Sequence, residues 1–256
     1  MKRADELRDA VEAYLGSLAF APELGRLQDT LRYALESGGK RVRPVLCLAV
    51  AEAAGGEVDA ALPAAAAIEL VHTFSLVHDD LPALDDDDER RGRPSAHVAH
   101  GEGVALLAGD ALLVEAFRLA LSYEDTRIAR ELADATLGMI GGQHRDITGD
   151  DGDLAEVERL KTGRLFVGAV TLGLLAARAY DAGRESWLAF GENLGLLFQV
   201  VDDILDGDGF AARLGGEGAR ELADGAATSA RNVLAGLSAD TTVLDELVES
   251  LAARTA

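Results

Sequence analysis

"IELVHTFSLVHDDLPALDDDDERRGRPS", Ile68 to Ser95, decides the reading of this 256-residue chain. Its first ten residues put apolar side chains at three- and four-residue spacings, the signature of a helix, and Pro82 stops that helix soon after its last apolar turn. Six aspartates and a glutamate then fall between His78 and Glu89, and Arg90, Arg91 and Arg93 reverse the sign. The design recurs in "GLLFQVVDDILD", Gly195 to Asp206, where an apolar run ends in Asp202, Asp203 and Asp206. Asp202 and Asp206 are four residues apart and so share a helix face, with Asp203 beside them.

Carboxylates crowded at a helix C-terminus repel one another and face the negative end of the helix dipole, so each cluster calls for a cation. Hard oxygen donors with few histidine or cysteine partners favour Mg²⁺, which keeps waters and takes one or two carboxylates alongside substrate phosphates. An EF-hand is excluded, because neither cluster has its alternating acids, central glycine and terminal glutamate.

Outward from these stretches the same helical spacing dominates, and alternating strand patterns are scarce. It predicts helices over 3–16, 24–37, 42–54, 60–80, 101–123, 126–141, 154–180, 185–206, 216–237 and 241–253. Asp125, Asp153 and Asp240 stand as N-caps, Asp153 with Glu156 as a capping box, while Gly38-Gly39 and Gly141-Gly142 read as helix exits. The expected fold is all-α, a single-domain helical bundle over residues 1–256 with one core.

With 24 basic against 45 acidic side chains, the formal charge of -21 repels nucleic-acid phosphates. Nucleic acid is not an expected partner. The longest unbroken apolar runs fall short of the roughly 20 residues that cross a bilayer, so no transmembrane segment is expected. Cys47, the single cysteine, has no partner for an intrachain disulfide, and MKRADELRDAVEAYL lacks a secretory apolar stretch, so the expected location is cytoplasmic.

Only Lys2, Lys40 and Lys161 are lysines. Two of them sit in basic groups, Gly38-Gly39-Lys40-Arg41-Val42-Arg43-Pro44 and Lys161-Thr162-Gly163, and a third group is Arg90-Arg91-Gly92-Arg93. Glycine lets backbone approach an anion, and arginine forks or a lysine point charge suit phosphate oxygens. Acidic metal sites beside basic anion sites indicate a diphosphate substrate.

In GGKRVRP, ELVHTFSLVHDDLPALDDDDERRGRPS, LAGDALL, GMIGGQ, RLKTG and GLLFQVVDDILD, in that order across most of residues 36–206, the chain resembles the trans-isoprenyl diphosphate synthases, the head-to-tail polyprenyl synthases. The resemblance implies a helical bundle around a deep central cavity, usually in a homodimer. It implies that Asp79, Asp80, Asp85, Asp202, Asp203 and Asp206 bind Mg²⁺, three ions per active site with substrate bound. It further implies that Lys40, Arg43, His72 and Arg91 hold isopentenyl diphosphate, and that Arg90, Lys161, Thr162 and Gln199 serve the allylic diphosphate. Gln143 and Asp146 match a position near the second metal site.

A helix rises about 1.5 Å per residue, so Phe74 lies roughly 7.5 Å below Asp79 and Ser75 one turn below. Together with the spacer LPAL, Phe74 resembles the device that stops chain growth in bacterial-type farnesyl synthases. The expected product is therefore C15 farnesyl diphosphate, with a C20 geranylgeranyl synthase and a non-catalytic regulatory subunit as alternatives. One departure stands out: GDGFAARLGGEGARELA follows Asp206 with no lysine, where the family has a lysine-bearing loop over the allylic diphosphate. Arg213 or Arg220 would have to take that role, or the lid is supplied differently, or catalysis is weakened.

Overall fold

A computed structural model describes residues 2–36, 38–149, 153–181 and 183–255. Its helices are α1 (Ala4–Ser17), α2 (Leu27–Leu35), α3 (Val42–Ala53), α4 (Val58–Asp79), α5 (Ala96–His100), α6 (Glu102–Ala120), α7 (Arg127–Thr148), α8 (Leu154–Glu158), α9 (Arg164–Ala176), α10 (Arg184–Asp206), α11 (Gly209–Ala235) and α12 (Thr242–Ala252). The all-α expectation holds. Among the described residues the strands are a two-residue pair, β1 (Glu89–Arg90) and β2 (Arg93–Pro94), antiparallel with Arg90 opposite Arg93. Arg91 and Gly92 join them with φ of 56° and 77°, the double left-handed geometry of a tight type I′ hairpin.

α4 runs through the centre, packed by α3, α6 and α9. Its 22 residues are long and apolar enough to cross a membrane, but most of its apolar stretch is buried in the bundle. The apolarity is that of a helix covered on nearly every side. Small residues make this possible: Ala61, Ala64, Ala65, Ala66 and Ala67 are all buried and let neighbouring helices come close. α9 is equally enclosed, with Leu165 through Leu175 buried without a break.

Three expectations change. Gly141-Gly142 does not end a helix, since α7 continues to Thr148. The glycine is needed for approach rather than exit: a Cβ added at Gly142 would lie 2.7 Å from the Lys161 Cα. The single helix expected over 154–180 is interrupted by a π turn at Arg159–Gly163 between α8 and α9. Finally, α11 begins at Gly209 rather than 216, with a break at Gly215 (φ 73°, ψ 164°) that only glycine tolerates easily. Of the expected N-caps, Asp153 caps α8, while Asp125 and Asp240 stand one residue before the caps Thr126 and Thr241, and Glu156 accepts from Arg159 rather than closing a capping box. Asp125, Asp153 and Asp240 each accept a backbone N–H two residues on, at 3.0, 3.1 and 3.1 Å.

Gly142→Ala forces the α7 and π-turn backbones apart. The expected outcome is a loss of about 1–3 kcal/mol in chemical denaturation, the range for overpacking a close contact, whereas Gly141→Ala, which meets nothing within 4 Å, leaves stability nearly unchanged.

Candidate active site

The last turns of α4 and α10 face a common hollow. On one side is a polar cavity of about 430 Å³ lined by Lys40, Arg43, His72, Arg91, Asp202 and Asp206, among others. On the other is a cavity of about 520 Å³ with largely apolar walls, which include Phe74, Leu113, Met139, Ile140 and Leu165, and with Asp79, Gln143 and Lys161 at polar points. Arg43, His72, Leu76 and Thr162 line both, so the two are compartments of one site.

Arg43 sits at the junction. Its guanidinium carbon stacks 4.9 Å from the Phe166 ring centroid and 5.4 Å from that of Phe198. Burial lowers its pKa to about 10, which still leaves it charged, and its Nε is buried without a partner among the described residues. His72 is held neutral, well below its usual pKa, first by burial and then by Arg43, Arg91, Arg41 and Arg90. It can therefore offer a hydrogen bond without adding to the local positive charge.

Arg41, which the sequence groups with its basic neighbours, also lines the polar compartment, but its charge is already paired. Its side chain is 2% exposed and donates to Glu69 Oε1 at 2.6 Å, to Glu12 Oε1 at 2.7 Å and to the Leu35 carbonyl at 2.5 Å. A left-handed φ of 48° at Arg41 makes the turn from which α3 starts. The hairpin braces the same loop: Arg91 donates to the Gly38 carbonyl, and Arg93 donates to the Glu36 carbonyl at 3.1 Å while its guanidinium carbon lies 4.3 Å from the Tyr33 ring centroid.

In the first aspartate cluster, Asp79 closes α4 and its carboxylate accepts no hydrogen bond from the described residues. Burial, then Asp85, raises its pKa to about 6. The Asp85 N–H donates to the Asp79 carbonyl at 2.9 Å, folding the LPAL spacer back over the helix end. Asp80 is buried and paired with Arg90 at 2.5 Å. Arg90 also reaches Asp87 at 3.3 Å. Asp86 and Asp88 stay exposed.

In the second cluster, Asp202 pairs with Arg254 at 2.9 Å and Asp206 is exposed. Asp203 is buried, with one oxygen accepting from Gln199 Nε2 at 2.7 Å and the other from the Phe210 N–H at 2.8 Å. Thr162 Oγ1 donates to Gln199 Oε1 at 2.7 Å, completing a chain from the π turn through α10 to α11. The π turn aims Lys161 and Thr162 inward, and Lys161 Nζ contacts Asp146 Oδ2 at 2.5 Å. Burial lowers the Lys161 pKa, but the pairing with Asp146 outweighs it and the pKa ends raised. Pi turns of this kind recur at functional sites.

No three metal-ligating side chains converge into a ready-made cluster among the described residues. The donor set nonetheless fits Mg²⁺, which needs only one or two carboxylates and completes its shell with water and phosphate oxygens. Burial raises the pKa of Asp79, Asp80 and Asp202, in the last two against the opposing pull of Arg90 and Arg254. Gln143 adds an amide whose nitrogen and oxygen are both buried and unpartnered.

The sequence model of the polyprenyl synthetase family matches residues 25–254. The chain belongs to that family. It is 42% identical over 195 residues to geranylgeranyl diphosphate synthase of Cyanophora paradoxa, an alignment covering 70% of this chain and 65% of that protein. It is 36% identical over 262 residues to farnesyl diphosphate synthase of Bacillus subtilis, covering 89% and 88%. The chain thus spans less than two thirds of the algal relative's length and most of the bacterial one's. The crystal structure of a geranyltransferase from Legionella pneumophila superposes with a TM-score of 0.88 at 31% identity, covering 98% of this chain and 96% of the other.

Two of the site's parts lie outside what the motifs announce. Glu69, a lone acid inside an apolar helix, was a readable signal for a buried ion pair. Arg254 carried none, since it stands 48 residues beyond Asp206 with no motif around it. Neither Arg213 nor Arg220 lines either compartment, whereas Arg254 lines the polar one.

Arg41→Met strands Glu69 in the core. The expected loss is about 3–5 kcal/mol in urea denaturation, the cost of removing one partner of a buried pair, and Glu69→Leu made in the Arg41→Met background recovers part of it.

Proposed function

We propose that this protein condenses isopentenyl diphosphate with an allylic diphosphate head to tail, giving a short all-trans prenyl diphosphate. The observation that carries this reading is the pair of joined compartments, one lined with cations and carboxylates, the other with apolar side chains. A diphosphate fits the first and a prenyl tail the second.

Asp79, Asp80, Asp85, Asp202, Asp203 and Asp206 would hold Mg²⁺; Asp203, which lines the polar compartment, also bonds Gln199 and, through the Phe210 N–H, the start of α11. When bound, the metal supplies charge neutralisation for the allylic diphosphate and for the diphosphate that leaves. Arg90 and Lys161 oppose the negative charge that develops as the allylic C–O bond breaks, a stabilisation worth most in a site closed to water. The Thr162 and Gln199 oxygens present negative dipole ends toward the allylic cation. Lys40, Arg43 and Arg91 hold the second diphosphate, with neutral His72 as a hydrogen-bond donor. The double bond of isopentenyl diphosphate attacks the cation, and the departed diphosphate takes the proton lost.

The product is C15 in this reading. Phe74 lies in the tail compartment with its ring edge-to-face against His78, centroids 5.1 Å apart, and Ser75 is held one position on by a 2.9 Å bond to the His72 carbonyl. The likeness to the Cyanophora paradoxa protein favours C20 as the second reading. The protein also pairs with a second copy. Leu107 and Val114 on α6 and Leu121 at its C-cap recur every seven residues at 55%, 67% and 63% exposure, a period that suits helix-to-helix packing, and Leu137 on α7 is 67% exposed.

Incubation with Mg²⁺, isopentenyl diphosphate and C5, C10 or C15 allylic diphosphates, with chromatography of the products, is expected to give mainly C15. No prenyl product from any primer overturns the proposal. Phe74→Ala lengthens the product, and an unchanged spectrum removes Phe74 as the floor. In sedimentation equilibrium, Val114→Asp with Leu121→Asp converts a dimer into a monomer; a wild type that is already monomeric rejects the pairing.

A further inference from the structure

Arg254, in the turn after α12, places Nη1 2.9 Å from Asp202 Oδ1. It lines the polar compartment together with Lys40. The same two residues also line a neighbouring cavity of about 390 Å³ built from α1, α3 and α12. Arg254 and Lys40 thus form a partition with solvent-filled space on both faces.

The partition is electrostatically strained in one respect. Burial lowers the Lys40 pKa, Arg254 lowers it further, and Asp202 opposes both. Two cations are therefore held together by one carboxylate. If a divalent cation takes Asp202, Arg254 and Lys40 face each other without a counter-ion. On the outer side the carboxylate available is Asp5, which already pairs with Arg3 at 2.8 Å, and Arg8 beside it adds positive charge. On the inner side Glu69 is paired with Arg41, Asp203 accepts from Gln199 and the Phe210 N–H, Asp208 is exposed to water, and Asp206 shares the Asp202 face and would be drawn to the same metal. The remaining solution is an anion entering the inner compartment.

We propose that Arg254 is an exchangeable counter-ion: it holds Asp202 in the metal-free protein and, when metal displaces it, passes to the diphosphate bound beside Lys40. This rests on the function proposed above and adds a coupling to it. Metal at the second aspartate cluster and diphosphate at the isopentenyl site favour each other, and by linkage each strengthens the other by the same factor.

The test uses Mn²⁺ as the metal probe, followed by electron paramagnetic resonance of the free ion, and isopentenyl diphosphate binding by calorimetry with and without Mn²⁺. In Arg254→Gln, substrate-free protein is expected to bind Mn²⁺ roughly threefold to tenfold more tightly, as removal of a half-exposed competing ion pair implies. Isopentenyl diphosphate is expected to bind more weakly by a similar factor, with its enhancement by Mn²⁺ reduced. Arg254→Lys keeps the charge and restores part of both effects, which separates exchange from a folding defect. An Arg254→Gln protein with wild-type Mn²⁺ affinity, or with the full Mn²⁺ enhancement of isopentenyl diphosphate binding, overturns the proposal. Wild-type protein that shows the coupling but makes no prenyl product would instead overturn the function and leave the exchange standing.

Discussion

The Arg41–Glu69 pair is the constraint from which the site is built. A guanidinium and a carboxylate, 2% and 4% exposed, meet at 2.6 Å between the loop before α3 and the middle of α4. Taking such charges out of water is costly, and the arrangement survives because Glu12 and the Leu35 carbonyl satisfy the remaining guanidinium donors. Once Arg41 is fixed, the next residues have little freedom. Lys40 and Arg43, on either side of Arg41, line the polar compartment with it.

Around that anchor, opposite charges are distributed so that neither the acids nor the bases are balanced by the protein alone. Asp80 has Arg90 and Asp202 has Arg254, but Asp79 has no hydrogen-bonding partner, and burial raises its pKa to about 6. On the basic side, Arg43 keeps an unpartnered buried nitrogen and stacks on two aromatic rings, which hold a cation without neutralising it. A site of this kind gains stability from both a cation and an anion arriving together. This is the expected electrostatics of a metal–diphosphate pair, and it accounts for the sign reversal between Asp88 and Arg90.

The helices were legible because their cause is local. Apolar spacing and aspartate caps act within a few residues, and the ends of α4 and α10 lie where the aspartate clusters put them. The misreadings arise where a distant segment decides. Gly142 looked like a stop because glycine usually serves that purpose, yet it is there to admit the Lys161 backbone, and nothing in GMIGGQ alone distinguishes the two uses. The π turn at RLKTG likewise reflects contact with α7 and α10 rather than any propensity of its own residues. Among site residues, those within motifs were visible and Arg254 was not, since its role depends wholly on where α12 docks.

The π turn shows why such non-local decisions matter for chemistry. The π turn, one residue wider than a regular helix turn, carries Lys161 and Thr162, which both line the tail compartment. Lys161 then reaches Asp146 on α7, while Thr162 reaches Gln199 on α10, which reaches Asp203 and so the start of α11. A single helical irregularity therefore links three elements. The polar chain holds Asp203 in place, while Asp202 and Asp206, one turn apart, line the polar compartment beside it. Glycine at 163 and 195 allows α9 and α10 to approach closely enough for the chain to form, since a Cβ at Gly195 would stand 3.1 Å from the Gly163 Cα. Around the π turn the geometry of the site is thus set by close backbone contact, as around Arg41 it is set by charge.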